Sequence, residues 1–560
     1  MNVTSFQPRL NRKASILALV VASLVILATL GLGLLAVAYG VRHQAASFKN
    51  ETIAMLAAEA GHEKAVFWMS QQEDMLSALQ HNVAGTSGTL NFPDGYCDYS
   101  IEFYGFIGAR PVYRIQTTGY SGVFNRTVDV LVIQAIGGWD MGMCRVPTGT
   151  TSTVAVNYVN GEVIDIPLHI NKLNDSPDVK DIYISGSPQF LRSIAMGEAR
   201  YTSGGSDKYS SVMNLFQGGI YFSQPDSKVL DETAIQTKIN RFSGSTKTQF
   251  KFTPTAGAAV TNPLPAVHIE FFVQGGIGKV RITNNCTVRS NSGGTYDYRI
   301  KPGTGGTQYE KYYVYAYHLR TSDADTTGLR SIHNIDETYV SQSIGGVDSE
   351  PGGQIFVNGN VIIGSGDPNL PGTRNTVKGK VTVVATGNIW MADSITVDGA
   401  HGTNGKPAKD NPNVLGLMAQ SVIKVIDPGM TDDRAGYGNI SPTAPAGYTY
   451  VPVGAADSGQ PANSRRRHLP DPTVIEAALT VGGGGWGAER VGGRKEASGT
   501  QDDLIVRGTI AEATRGVVGL TGSDGYLKFY YLDERLLEGV LPGDLWLAGK
   551  YIAAPAGWHA

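Results

Sequence analysis

The reading of the fold turns on Ile16–Val41, ILALVVASLVILATLGLGLLAVAYGV, 26 residues without a charge. At about 1.5 Å per residue a helix of this length exceeds a hydrocarbon core of roughly 30 Å. Ser23, Thr29 and Tyr39 bring its only side-chain polarity, and Tyr39 falls where an interfacial aromatic is favoured. Arg9, Arg12 and Lys13 precede it with no acid among them, so the N-terminus is expected on the cytoplasmic side and the rest of the chain across the membrane. A secretory signal peptide has an apolar region of only about 7–15 residues and a break after it. Here Gln44–Gln80 has no proline, Gly61 as its single glycine, and mostly strong helix formers. Ile53, Leu56, Ala57, Ala60, Lys64, Phe67 and Trp68 recur at helical spacing. The helix is expected to leave the bilayer unbroken and lie under a sheet.

Three alternating runs follow with glycine-bearing turns between them: Tyr96–Tyr104, Val112–Gly119 and Arg126–Ile133. They read as an antiparallel meander. From about Val163 the pattern changes to short apolar strands ending in Gly or Asn, without helices between them. Examples are Asp181–Gly186, Gly219–Phe222, Gln354–Gly364, Gly379–Met391, Ile395–Gly399, Leu415–Gln420 and Leu504–Ile510. Short strands with corners that tolerate positive φ suggest coils stacked as a right-handed parallel β-helix, in preference to a sandwich of hairpins. Val267–Val273 and Lys279–Thr283 read as a hairpin across Gly275 and Gly276, within a β insertion at 251–345.

The bulk numbers agree with a turn-rich β protein: 70 glycines in 560 residues, 17% charged residues and a formal charge of -3. That charge gives no general attraction to nucleic acid, and Arg465-Arg466-Arg467-His468 reads as a solvated loop. None of the three cysteines forms a C-x-x-C pair, so neither a metal site nor a cofactor is expected. Two readings stay open for them. Cys97 and Cys144 form a disulfide if the β region is exported, or all three are small buried hydrophobes.

The start of the chain resembles a class III, prepilin-type signal: a basic leader, a small residue, then an apolar helix, at Arg12-Lys13-Ala14-Ser15-Ile16-Leu17. The resemblance implies cleavage by prepilin peptidase after Ala14, with Ser15 opening the mature chain. Ala57-Ala58-Glu59-Ala60-Gly61 is similar to the AAEAG stretch of the PilX N-terminal family of minor pilins, as are Tyr113–Gly122 with Asn125–Val132 and the Gly525–Leu537 ending. Major pilins carry glutamate as fifth mature residue, where this chain has Leu19. That departure fits a tip or low-copy subunit.

The expected organisation is a leader at 1–14, a transmembrane and amphipathic pilin helix at 15–82, and a pilin-like antiparallel sheet at 83–140. First β-helix coils follow at 160–250, the β insertion at 251–345, and remaining coils with a C-terminal cap at 346–560. The expected function is a non-enzymatic minor pilin-like subunit of a type IV pilus or related filament. Its partners would be other pilins, prepilin peptidase, the inner membrane and a surface glycan or matrix. Its β domains would be periplasmic or extracellular. One alternative is a type II secretion pseudopilin. Another is a membrane-tethered carbohydrate-active enzyme using Asp393 and Asp398, with His401 and Asp410 nearby, because glycoside hydrolysis needs paired carboxylates about 5–9.5 Å apart.

Overall fold

The computed structural model describes residues 12–72, 75–107, 110–134, 155–224, 232–255, 264–290, 314–320, 330–338, 343–344, 347–348, 353–365, 375–427, 447–456, 467–489, 501–512, 516–520, 524–536 and 551–559. The molecule is mainly β, with one long N-terminal helix and an antiparallel sheet, as expected from the sequence.

Helix α1 runs from Arg12 to Ser70 without a break, 59 residues or about 88 Å. Its C-terminal third lies on a sheet formed by β1 (Ser87–Phe92), β2 (Gly95–Ile107), β3 (Arg110–Ser121) and β4 (Phe124–Gln134). The fifth strand, Tyr551–His559, comes from the far end of the chain and pairs antiparallel with β4. The sheet order is thus β1-β2-β3-β4 and then the C-terminal strand, so residues 135–550 are inserted between two neighbouring strands of one sheet.

Strand alternation divides that sheet into two faces. Tyr99, Ile101, Tyr113, Ile115, Val128, Val130 and Val132 pack with Ala58, Ala65 and Met69 of α1. Val112, Leu131, Ile133 and Ala554 form a second buried cluster, with Ile552 against it.

The packing face of α1 follows the expected stripe only in part: Trp68 packs against the cluster that joins α1 to the sheet. Ala54, Ala57, Ala58, Ala65 and Met69 are buried, whereas Leu56 and Phe67 are 58% and 60% exposed. The reason is steric. A β-carbon on Gly119 would lie 2.0 Å from the Ala54 carbonyl oxygen and 2.6 Å from the Ala58 nitrogen. Helix and sheet backbones are therefore in near contact, and only small helix residues fit between them.

Beyond the sheet, the short strands pair in parallel. One ladder runs through Lys251–Phe252, Gly353–Val357, Lys380–Ala385, Val414–Ala419, Ala478–Val481, Asp502–Glu512, Asp524–Leu532, Val163–Asp165 and Gln189–Phe190. A second runs through Leu264–Gln274, Asn360–Ile363, Ile389–Met391, Val422–Val425 and Gly485–Ala488. The expected hairpin is present, with Gly275 and Gly276 at φ of 62° and 76°. Its first strand is itself a rung of the second ladder rather than a separate layer.

The order of rungs departs from the order of the chain. The chain enters at Val156–Val159 and Val163–Asp165, proceeds to one end at Ile220–Tyr221, and restarts at the other end with Lys251–Phe252. It then returns until Asp524–Leu532 pairs with its own entry strand, Phe529 opposite Val163. The segment expected to cap an open end is an interior rung, with Tyr526 opposite Asp502 on its other side. The crossing between ends includes α2 (Glu232–Ser245), whose Ile235, Ile239 and Phe242 cover Phe356, Val384, Met418, Ala478 and Ala511. These five residues stand on five successive rungs. Fourteen helical residues span about 21 Å, close to the roughly 19 Å that four rung spacings require.

Candidate functional site

Two regions carried functional expectations, and the structure treats them differently. The first is the exposed part of α1. Among the described residues nothing covers Ile16–Val41: Leu19 is 70% exposed and Leu34 71%. The side chains within it that carry hydroxyls on sp³ carbon are satisfied locally. Ser23 donates to the Leu19 carbonyl at 2.8 Å, and Thr29 donates to those of Val25 and Ile26 at 2.9 Å. Such back-bonding removes the cost of an unpaired hydroxyl in an apolar medium. The helix is long and apolar enough to cross a membrane. Ala14 and Ser15 lie in its first turn by backbone, and residues 1–11 of the leader lie outside the described residues.

The exposed apolar surface continues past the membrane-length run. Phe48, Leu56 and Phe67 are exposed on α1, the last two on the side opposite the sheet. The sheet side is close-packed. Cys97 is an unbridged thiol, and its sulfur would lie 2.4 Å from a β-carbon on Gly61. Burial raises its pKa. Its expected disulfide partner, Cys144, lies outside the described residues. Cys286 is likewise buried and unbridged, within the core of the stack.

The second region is the corner around Asp393 and Asp398. Asp393 accepts the Ser394 amide at 2.8 Å. Asp398 lies 3.3 Å from Lys378 Nζ, and Asp410 is exposed. His401 does not face either aspartate; it is 3.0 Å from Glu476 Oε2. Glu476 is the buried centre of this corner. It accepts the Val397 amide at 2.8 Å and Arg507 Nη1 at 2.9 Å. A neighbouring lattice joins Asp165, Arg192, Lys406 and Glu534. Arg192 Nε lies 2.8 Å and Lys406 Nζ 3.3 Å from the Asp165 carboxylate, and Arg192 also binds Glu534. The hydrogen bond from Arg192, and then the Lys406 charge, hold the Glu534 carboxyl below its usual pKa.

In chemical terms Asp393, Asp398, Glu476, Asp165 and Glu534 are each occupied by an amide or a cation, which suits holding neighbouring strands together. Glu476, Arg507, Asp165 and Arg192 were not legible as a group. Their partners lie 27 to 342 residues away, and only the crossed order of the strands brings Lys406 and Glu534 to Asp165 and Arg192. Among the described residues no group of three or more His, Cys, Asp or Glu is placed to hold a metal ion.

No protein-family model matches the chain, and no curated protein matches it. Among solved structures it is similar to the competence-associated pilin ComZ from Thermus thermophilus, at 10% identity over 88% of this chain and 95% of that one, with a TM-score of 0.25.

Proposed function

We propose that this chain is a non-enzymatic minor pilin-like subunit of a type IV pilus or related filament. The observation that carries the reading is the single unbroken helix α1, bare and apolar from Ile16 to Val41 and docked on a sheet through Ala54–Met69. A bare apolar helix of this kind is stable in lipid. It is equally stable against the helices of neighbouring subunits, because lipid tails and apolar side chains are similar solvents. Phe48, Leu56 and Phe67 extend that surface beyond the bilayer. In this reading the parallel ladders wind as a right-handed β-helix and project as a rigid body for assembly or surface adhesion.

Arg9, Arg12 and Lys13 favour an N-terminus in the cytoplasm, which would put the sheet and stack across the inner membrane. Prepilin peptidase would cut after Ala14 and leave Ser15 as the mature terminus. Leu19 in place of the buried glutamate suits a subunit at a tip or at low copy number, since such a carboxylate costs about 2.5–3.5 kcal/mol in lipid unless it is paired.

The test is processing. Ala14→Asp should block cleavage, leaving the full leader in intact-mass spectra of the membrane fraction, whereas the unaltered chain should begin at Ser15. A mature terminus unchanged by the substitution, or a chain released as a soluble species cut near Arg42, overturns the reading.

A further inference from the structure

The sheet ends in two adjacent turns that carry exposed apolar side chains. Gly122 and Val123 join β3 to β4 in a two-residue turn, with Gly122 at φ of 58°. Pro93 and Asp94 join β1 to β2. The turns are tied together, Ser121 donating to the Asp94 carbonyl at 2.9 Å. Val123 is 92% exposed, the highest value for a large hydrophobic among the described residues, and Phe92 and Tyr96 are 36% and 41% exposed. Tyr96 stacks on Tyr120 with ring centroids 4.6 Å apart.

The position of this tip follows from its neighbours on α1. Gly85 lies against Trp68, Cys97 and Thr117 against Gly61, and Gly119 against Ala54 and Ala58. A β-carbon on Gly122 would come 3.4 Å from Asn50 Nδ2. The contacts therefore step toward the N-terminus of α1, and the tip is the end of the sheet nearest the apolar run. Asn50 is nine residues beyond Val41, about 14 Å along the axis.

The apolar run is itself about 39 Å long against a core of roughly 30 Å, an excess that tilting relieves, at up to about 40° where tilt takes up all of it. A helix with its side chains has a radius of about 5–6 Å, and Gly122 meets α1 through the Asn50 side chain and not backbone to backbone, so the tip stands off the helix axis by up to roughly 10 Å. A tilt of that size toward the sheet then lowers the tip to roughly 4 Å above the hydrocarbon edge, inside a headgroup layer about 5–7 Å thick. The local charges suit that layer. Lys49 is exposed beside the tip, Asp94 adds one carboxylate, and Arg126 and Glu51 pair with each other. Tyrosines with a wet hydroxyl and an apolar ring favour the same depth.

We infer that the Phe92–Tyr96 and Tyr120–Phe124 turns rest in the headgroup layer of the bilayer that holds α1, so that the subunit waits tilted, with its sheet against the membrane surface. This rests on the anchoring proposed above, and one experiment separates the two. The full chain carrying Val123→Cys in a Cys144→Ser background, where Cys97 and Cys286 are buried, is labelled with a nitroxide. It is then reconstituted into vesicles of phosphatidylethanolamine and phosphatidylglycerol. A second label at Tyr183→Cys, on the stack, gives the aqueous reference.

Flotation with the vesicles reads the anchor. The ratio of oxygen to nickel-chelate collisions reads the depth of the tip. The expected result is flotation together with a collision ratio several-fold higher at 123 than at 183. Flotation with equal ratios overturns the docking and leaves the anchor standing. Failure to float overturns both. A ratio at 123 that rises with protein density at fixed lipid assigns the tip to a neighbouring subunit and also overturns the docking.

Discussion

The helix-and-sheet platform and the parallel stack solve the same burial problem by opposite means. In the platform, small residues let two backbones approach. Gly61, Gly119 and the Ala54-Ala58-Ala65 stripe make the closest contact, and Leu56 and Phe67 are left outside. In the stack, large residues fill a core between rungs, and Trp390, Trp486, Tyr526, Tyr530 and Phe190 are fully enclosed. The platform depends on steric fit at a few points, whereas the stack spreads its burial over many rungs. A single added side chain should therefore damage the first far more than the second.

The sharpest way to break that contrast is Gly119→Leu. With the Ala54 oxygen 2.0 Å from the new β-carbon, neither backbone can give way. The expected cost is about 4 kcal/mol or more, at the upper end for single substitutions. It should fall on the platform alone. Limited proteolysis should cut α1 between Asn50 and Ser70, while amide exchange in Val414–Ala419 and Ala478–Val481 stays slow. Loss of protection in both regions at once would show that platform and stack do not fold as separate units.

A second prediction sharpens the description of the stack. His268 is fully buried, donates from Nε2 to the Gly364 carbonyl at 2.8 Å and stacks on Tyr317. Burial is the main cause that lowers its pKa from 6.5 to about 4. The unfolded chain takes up a proton between those values and the folded chain does not. Stability is therefore lost as pH falls from about 6.5 to 4, by roughly 3 kcal/mol. His268→Gln should remove this component. The measurement is the difference in stack unfolding free energy between the two proteins across that window, in which other titrating groups such as Asp181 cancel. A pH-independent difference would mean that His268 titrates alike in both states.

The same contrast explains what the sequence made legible. α1, β2, β3 and β4 were legible because each is local: an apolar run, then period-two alternation at Tyr96–Tyr104, Val112–Gly119 and Arg126–Ile133. The face of α1 was not. Hydrophobic size marks burial in the stack, but Leu56 and Phe67 lie on the outside here, where closeness selects alanine. Tyr551–His559 gave no signal because YIAAPAGWH does not alternate. The rungs were legible one by one through their Gly and Asn corners; Asn388, for instance, donates from its amide to Asn360 Oδ1 at 3.1 Å. Their order was not, because parallel pairing leaves no trace of which rung lies next.

That crossed order creates a seam where Asp524–Leu532 meets Val163–Asp165, the one place in the first ladder where rungs from opposite ends of the inserted region pair. Residues from three separate segments bridge it: Asp165 and Arg192 from the entry coils, Glu534 just after the last rung, and Lys406 from the loop after Thr396–Val397. Backbone pairing at the seam involves only three register pairs, Phe529–Val163, Tyr530–Ile164 and Tyr531–Asp165, so the charges should matter more here than on an ordinary surface. Lys406→Met removes one cation and keeps most of the apolar stem. Lys406 and Asp165 side chains are 20% and 12% exposed, so the expected loss is modest, about 1 kcal/mol. It should shrink in high salt, as the Debye length falls from about 10 Å at 0.1 M to 3 Å at 1 M. Amide exchange should quicken in Val163–Asp165 and Ile194–Met196 before it does in Lys380–Ala385. Equal quickening throughout would mean that the entry coils are held no less firmly than the rest, and that the seam is a seam in sequence only.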